Sequence, residues 1–409
     1  MADGGARVSA EFVARVALTM SLVAMSIDTM LPALGQIAND LQVADPNDRQ
    51  LVLTFFFAGL SIGQLVYGPL SDSLGRKPAL YAGLGLFIVG GLCCALAPSF
   101  AFMLVGRALQ GFGAAGPRVV AVATVRDLHS GAAMARVMSF VSTVFILVPI
   151  AAPSFGQGVL LIADWRTIFW LLVIAALADG AWFALRQPET LAPERRARLS
   201  FRGVLRAGAE VFRHPITLGY TLAMGTVFGA VIGYLTTSQQ LFQDTYGVGD
   251  WFPVLFGVLA FSLGLASLVN AQLVMRFGVR RLARLAAASE CVIATVALVV
   301  ALAYGGRPPL FVFMLGMVGC FFCNGIVFGN YNARALEPMG HIAGSAAAIS
   351  GALSGLVALL VGTPIGRAYD GTVLSVVAGF VFGSVVALLL TEGAERRFSA
   401  AAPALPLSG

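Results

Sequence analysis

The residues of this sequence able to do chemistry are few, and they stand inside apolar runs. Asp28 lies in Met25-Ser-Ile-Asp28-Thr-Met-Leu-Pro32. Ser21, Met25, Asp28 and Pro32 recur at helical spacing, which sets a polar stripe on one face of a helix that Pro32 should kink. A carboxyl there is pulled two ways. Desolvation favours its neutral form and an approaching guanidinium or cationic substrate favours the anion, so Asp28 is the first choice for a group that exchanges protons. Arg107 stands in Leu104-Val-Gly-Arg107-Ala-Leu-Gln110-Gly111-Phe-Gly113. An arginine so deep in an apolar run costs about 2.5 to 3.5 kcal/mol on insertion scales, so it must face a cavity, carbonyls or an acid. Arg118 follows three turns later plus about 20°, on the same face and near enough to the run's end to snorkel.

Gly68-Pro-Leu-Ser-Asp72-Ser-Leu-Gly75-Arg76-Lys77 is the strongest local pattern. Gly68 allows close helix contact, Asp72 can pair with Arg76, and Gly75 permits a tight turn. Asp127, next to Arg126, offers the arginine a second partner. Pro149 and Pro153, followed by Gly156 and Gly158, should bend a helix and let it pack closely. Further along, Tyr220, Met224, Tyr234 and Ser238 share one helical face, and Asn324, Phe328 and Tyr331 share another. Aromatic, Met and amide groups can hold a neutral or amphipathic organic molecule; the same spacing also describes ordinary helix packing. Asp179 and Glu290 lie in apolar runs as well, as pathway acids or locally paired ones. The five cysteines lie in apolar runs, and the lone Cys320-x-x-Cys323 lacks the partners of a metal site, so they are read as packing residues.

What must position these groups follows from composition. Of 409 residues, 58% are apolar and only 11% charged, about half the charge of a soluble chain. That excludes a soluble enzyme, and the net charge of +6 points to membrane topology rather than nucleic acid. Scanning for runs of about 20 apolar residues gives twelve spans: 13-36, 50-71, 78-98, 101-125, 136-162, 166-186, 216-241, 252-275, 283-304, 309-333, 340-366 and 372-392. The runs are continuously apolar, so they are helices and not barrel strands. The first follows Arg7 and Arg15 and is read as an uncleaved span. With both termini cytoplasmic, 20 of the 26 basic residues fall in inner segments and four in outer ones, which fixes that orientation.

The stretch 187-215 divides the chain into an N-terminal half, 1-186, and a C-terminal half, 216-409. In a helix its Phe201, Leu205 and Phe212 would line one side and Arg198, Arg202 and Arg206 another, as in a helix lying on the inner leaflet; a solvated charged linker is the other reading. Gly75-Arg-Lys and Gly278-Val-Arg-Arg end corresponding spans, so the halves read as a duplicated six-helix unit with a central cavity between them.

The segments Ile27 to Asp40, Gly68 to Lys77, Arg107 to Ala115, Val125 to Asp127, Pro149 to Gly158, Trp165-Arg166, Pro188 to Leu191 and Asn332 to Ser354 together resemble the bicyclomycin/chloramphenicol-resistance (Bcr/CflA) branch of the drug:proton antiporters, within the major facilitator superfamily. The resemblance runs from about residue 12 to 390. It implies an all-α, twelve-helix major facilitator fold. It makes Arg107 a proton-coupling residue oriented by Gln110, and makes Asp72, Arg76 and Asp127 a cytoplasmic latch. It associates the Pro149–Gly156 segment with export, although Ala152 departs from the usual Gly before Pro153. Members are bacterial inner-membrane exporters of phenicols, bicyclomycin, sulfonamides and some metabolites. The expectation is therefore a monomeric, multi-pass transporter of small molecules, driven by the proton gradient without a cofactor. An uptake symporter shares the same features, and a sensor or channel is the reading from another class.

Overall fold

Inside a bilayer every backbone N–H and C=O has to be satisfied within its own segment, and helices are what these apolar runs form. The computed structural model describes residues 9–196 and 200–401, which are helices, turns and loops without a strand; Arg7 and Arg198 lie outside them. The order is α1 (Ala10–Asp28), α2 (Leu34–Asp40), α3 (Leu51–Leu74), α4 (Arg76–Ala95), α5 (Phe100–Leu128), α6 (Gly131–Leu160) and α7 (Trp165–Arg186). After them come α8 (Phe201–Arg213), α9 (Pro215–Gln240), α10 (Phe252–Phe277), α11 (Val279–Ala303), α12 (Leu310–Leu336), α13 (Ala343–Arg367) and α14 (Leu374–Ala401). Leaving aside the short α2 and α8, twelve long helices match the twelve expected spans in order among the described residues.

The first span departs most from a simple helix. It stops at Asp28, turns through a 3-10 segment at Leu31–Ala33, and resumes as α2. Pro32 has no N–H to offer the Asp28 carbonyl four residues back, so the hydrogen-bond ladder ends there. The chemistry-bearing carboxylate thus sits at the break. The linker is not featureless either: α8 is a helix with Leu205 and Phe212 exposed and Ala207 and Val211 buried.

The helices cluster into two compact units. One holds α1–α7 and the segment Val248–Phe261; the other holds α8, α9, the rest of α10 and α11–α14. In the first unit glycines set the distance between helices. A Cβ on Gly59 would collide with the Ala108 carbonyl, and one on Gly111 with the Phe56 carbonyl. Bare backbone surfaces of α3 and α5 therefore touch, as membrane helices with small residues do. This brings Arg107 within reach of α3. In the second unit Gly225, Gly229 and Gly233 do the same for α9 against Val357, Val361 and Ile365 of α13.

Candidate functional site

Arg107 is 0% exposed. Its Nε donates to the Val52 carbonyl at 3.1 Å, Nη2 to the Ser26 carbonyl at 3.2 Å and Nη1 to Gln110 Oε1 at 2.7 Å. The guanidinium carbon lies 4.4 Å from the Phe56 ring centroid. One planar fork therefore joins α1, α3 and α5, which a compact ammonium could not do. Of the alternatives set by its burial, the arginine takes carbonyls rather than an acid. Gln110 orients it, one turn along the same helix.

Asp28 lies two residues beyond the carbonyl that Arg107 binds. It is buried, and among the described residues no cation or hydrogen-bond donor meets its carboxylate. An unpaired ion in such surroundings is costly. A proton or a cationic group arriving from outside is what can compensate it. Thr29, the next residue, carries the carbonyl that Gly156 of α6 packs on so closely that a Cβ would collide with it. α6 continues as one helix through Pro149 and Pro153. Gly156→Ala forces α6 away from the helix break beside Asp28, at a cost of roughly 1–3 kcal/mol for overpacking. Thermal unfolding should show a lowered Tm together with lost transport, whereas Gly158→Ala, with open space around its Cβ, should match the parent. Equal Tm and transport in both variants would contradict the contact.

The residues expected to form a latch meet around Arg76, which is buried. Its Nη1 donates to Asp72 Oδ1 at 2.6 Å and to Ser71 Oγ at 2.9 Å, and its Nε to Asp127 Oδ2 at 2.7 Å. Thr190 Oγ1 donates to the same Asp127 oxygen at 3.0 Å. Gly75 has φ +112°, a region side chains avoid, and a Cβ there would come within 2.8 Å of Glu189 Oε2. Lys77 Nζ donates to the Ala184 carbonyl at 3.2 Å, and Gly68 is half-buried near the end of α3.

Glu189 is the member sequence reasoning missed. Its carboxylate accepts from the backbone N–H groups of Arg76 (3.0 Å), Lys77 (3.0 Å) and Leu191 (2.9 Å), capping α4 at its positive dipole end. Burial pushes this carboxyl up, but the backbone N–H bonds outweigh it and hold its pKa below the ordinary 4.5. A depressed pKa contributes stability above the unfolded-state value that is lost as pH falls through the folded-state value. Glu189→Gln should thus lower stability by about 1 kcal/mol at neutral pH, and the two Tm curves should converge below about pH 4.5. Parallel curves would contradict the cap.

The second unit treats its candidates differently. Tyr220, Tyr234, Ser238, Asn324 and Tyr331 are fully or almost fully buried, and Met224 nearly so. Tyr220 OH donates to Glu395 Oε1 at 3.0 Å and packs edge-on to Tyr331. Tyr234 packs edge-on to Phe321, and Phe328 to Phe228. Ser238 Oγ bonds the Leu235 carbonyl of its own helix, and Asn324 turns to Glu290. Phe328 is half-buried; in the first unit Met25 is half-buried and Arg118 is exposed, its guanidinium meeting no partner among the described residues. Two buried polar pairings escaped the sequence altogether: Arg15 Nη2 to Gln187 Oε1 at 2.7 Å, and Thr19 Oγ1 to Asp179 Oδ1 at 2.8 Å.

Comparison with known proteins places this geometry. The Major Facilitator Superfamily model matches residues 16–363. The chain is 32% identical over 349 residues to the uncharacterized MFS-type transporter YdgK of Bacillus subtilis, covering 84% of this chain and 85% of that one. It is 29% identical over 382 residues to a bicyclomycin resistance protein homolog of Haemophilus influenzae, covering 92% of each. Similar solved structures include the human organic anion transporter MFSD10 (TM-score 0.65, 19% identity, 94% of this chain and 99% of that one) and a D-xylose-proton symporter (TM-score 0.71, 17% identity, 93% and 97%). At those identities they speak to fold alone, and they share it over nearly the whole chain. The bicyclomycin-resistance relative agrees with the branch that the sequence resembles. With twelve long helices among the described residues and a family model covering most of its length, this chain belongs to the Major Facilitator Superfamily, as a multi-pass membrane transporter and not an enzyme.

Proposed function

We propose that this transporter exports small organic molecules in exchange for protons by alternating access, from the cytoplasmic side of a bacterial inner membrane and with both termini cytoplasmic. The observation that carries the reading is Asp28: a buried carboxylate that meets no cation among the described residues, at a helix break, beside the stretch of α1 backbone that Arg107 grips. A group in that position accepts either a proton or a cationic moiety, and the exclusion of one by the other is the elementary step of antiport. Arg107 with Gln110 positions the Asp28 segment and is not itself the carrier. The Asp72–Arg76–Asp127 cluster holds one conformation until the cycle breaks it. Met25 and Arg118 of the first unit, which keep accessible surface, are assigned to substrate contact. Thioether surface with a guanidinium suits amphipathic drugs, phenicols or bicyclomycin, or a related metabolite. The proton gradient supplies the driving force without a cofactor, in a monomer.

Direction is tested in cells. Cells producing the protein should accumulate less phenicol or bicyclomycin than cells without it, and the difference should vanish when the proton gradient is collapsed. Greater accumulation would turn the reading into uptake.

A further inference from the structure

The second unit contains a buried acid that the transport reading leaves unused. Glu290 of α11 and Asn324 of α12 are both 0% exposed. Asn324 Nδ2 donates to Glu290 Oε1 at 2.9 Å and to the Cys320 carbonyl at 3.0 Å. The Cys320 carbonyl fixes which way the amide faces, because the flipped amide would set oxygen against oxygen. Two buried atoms are then left without a partner: Glu290 Oε2 and Asn324 Oδ1. In the ionised pair both are acceptors and neither has a donor. Buried polar atoms are almost always satisfied, and one proton satisfies both.

We propose that Glu290 binds a proton and holds it as one half of a cyclic acid–amide pair with Asn324. The O–H on Oε2 donates to Asn324 Oδ1, the amide N–H donates to Oε1, and the two bonds close a single ring. Among the described residues no cation meets the acid. The titratable groups facing it from α12 are Cys320, Cys323 and Tyr331. α14, the other helix packed on α11, brings Glu392 to Arg284 nearer the start of α11. The site is separate from Asp28, and the proposal does not depend on which substrate moves or in which direction.

The sequence makes a clean test possible. It contains eight glutamates; of the other seven, six lie outside the expected spans and Glu392 is the last residue of the span 372-392, and the buried Glu395 is ion-paired to Arg334. The purified full-length protein, labelled with carbon-13 at the glutamate carboxyl, should show one label-sensitive C=O stretching band of a protonated acid. The band should persist from about pH 6 to about pH 8, a range over which buried glutamates are known to stay protonated. It should disappear in Glu290→Gln, and should move to higher wavenumber in Asn324→Leu, where the acid loses its amide donor. If all label-sensitive intensity in the unsubstituted protein falls in the ionised carboxylate region, Glu290 is an anion satisfied by internal water, and the proposal is overturned. That spectrum requires no variant to fold. A protonated band that does not move in a folded Asn324→Leu protein would overturn the pairing.

Discussion

Asp28→Asn is expected to abolish proton-driven transport to the level of protein-free vesicles while leaving substrate exchange down a concentration gradient intact. Asparagine has nearly the same size and keeps hydrogen-bonding capacity, so the break between α1 and α2, which Pro32 dictates, should survive. What disappears is the capacity to take up and release a proton. Among the described residues the carboxylate meets no cation, so the substitution breaks no ion pair there. A loss of uphill transport then reports the missing titration and not a damaged structure. Counterflow of labelled against unlabelled substrate measures the remaining exchange. Proton-driven transport at the parent rate in Asp28→Asn would exclude Asp28 as the sole carrier.

The second large effect concerns Arg107. Its truncation to alanine removes the donors for the Val52 and Ser26 carbonyls and for Gln110 Oε1 and empties the space against Phe56. Each unsatisfied buried group costs about 1–3 kcal/mol, so a loss of roughly 3 kcal/mol or more is expected, with a much lowered Tm. Arg107→Lys separates charge from geometry. It keeps the cation, but an ammonium cannot span three acceptors fixed around a planar fork. It should recover part of the stability and little of the transport. Parent-like transport in Arg107→Lys would show that charge alone suffices there, and a parent-like Tm in Arg107→Ala would show that the carbonyl contacts hold nothing together.

Much of this was legible in one dimension because lipid imposes one-dimensional rules. Apolar run length fixed the spans, the missing N–H of Pro32 marked the break after Asp28, and the four-residue spacing of Asp72 and Arg76 already sets their ion pair within one turn's reach. What escaped depends on distances between helices. Nothing in the sequence says that Glu189 returns 113 residues along the chain to the N–H of Arg76, or that Thr19 meets Asp179. The stripes on α9 and α12 show the ambiguity most clearly. Helical spacing placed Tyr220 and Tyr331 on regular faces, but only the three-dimensional packing reveals that these faces meet each other. Arg107 was recognisable as a buried arginine from its run alone, whereas the choice of carbonyls over an acid required the positions of Ser26 and Val52.

Proton antiport itself is tested most directly in inside-out membrane vesicles containing the protein, with an acidic interior established by respiration. Addition of a phenicol, bicyclomycin or a member of a small metabolite panel should collapse the pH gradient for at least one compound, and the same compound should do nothing to vesicles containing Asp28→Asn. A collapse of equal size in the Asp28→Asn vesicles, or none with any compound despite folded and inserted protein, would contradict proton-coupled export through Asp28.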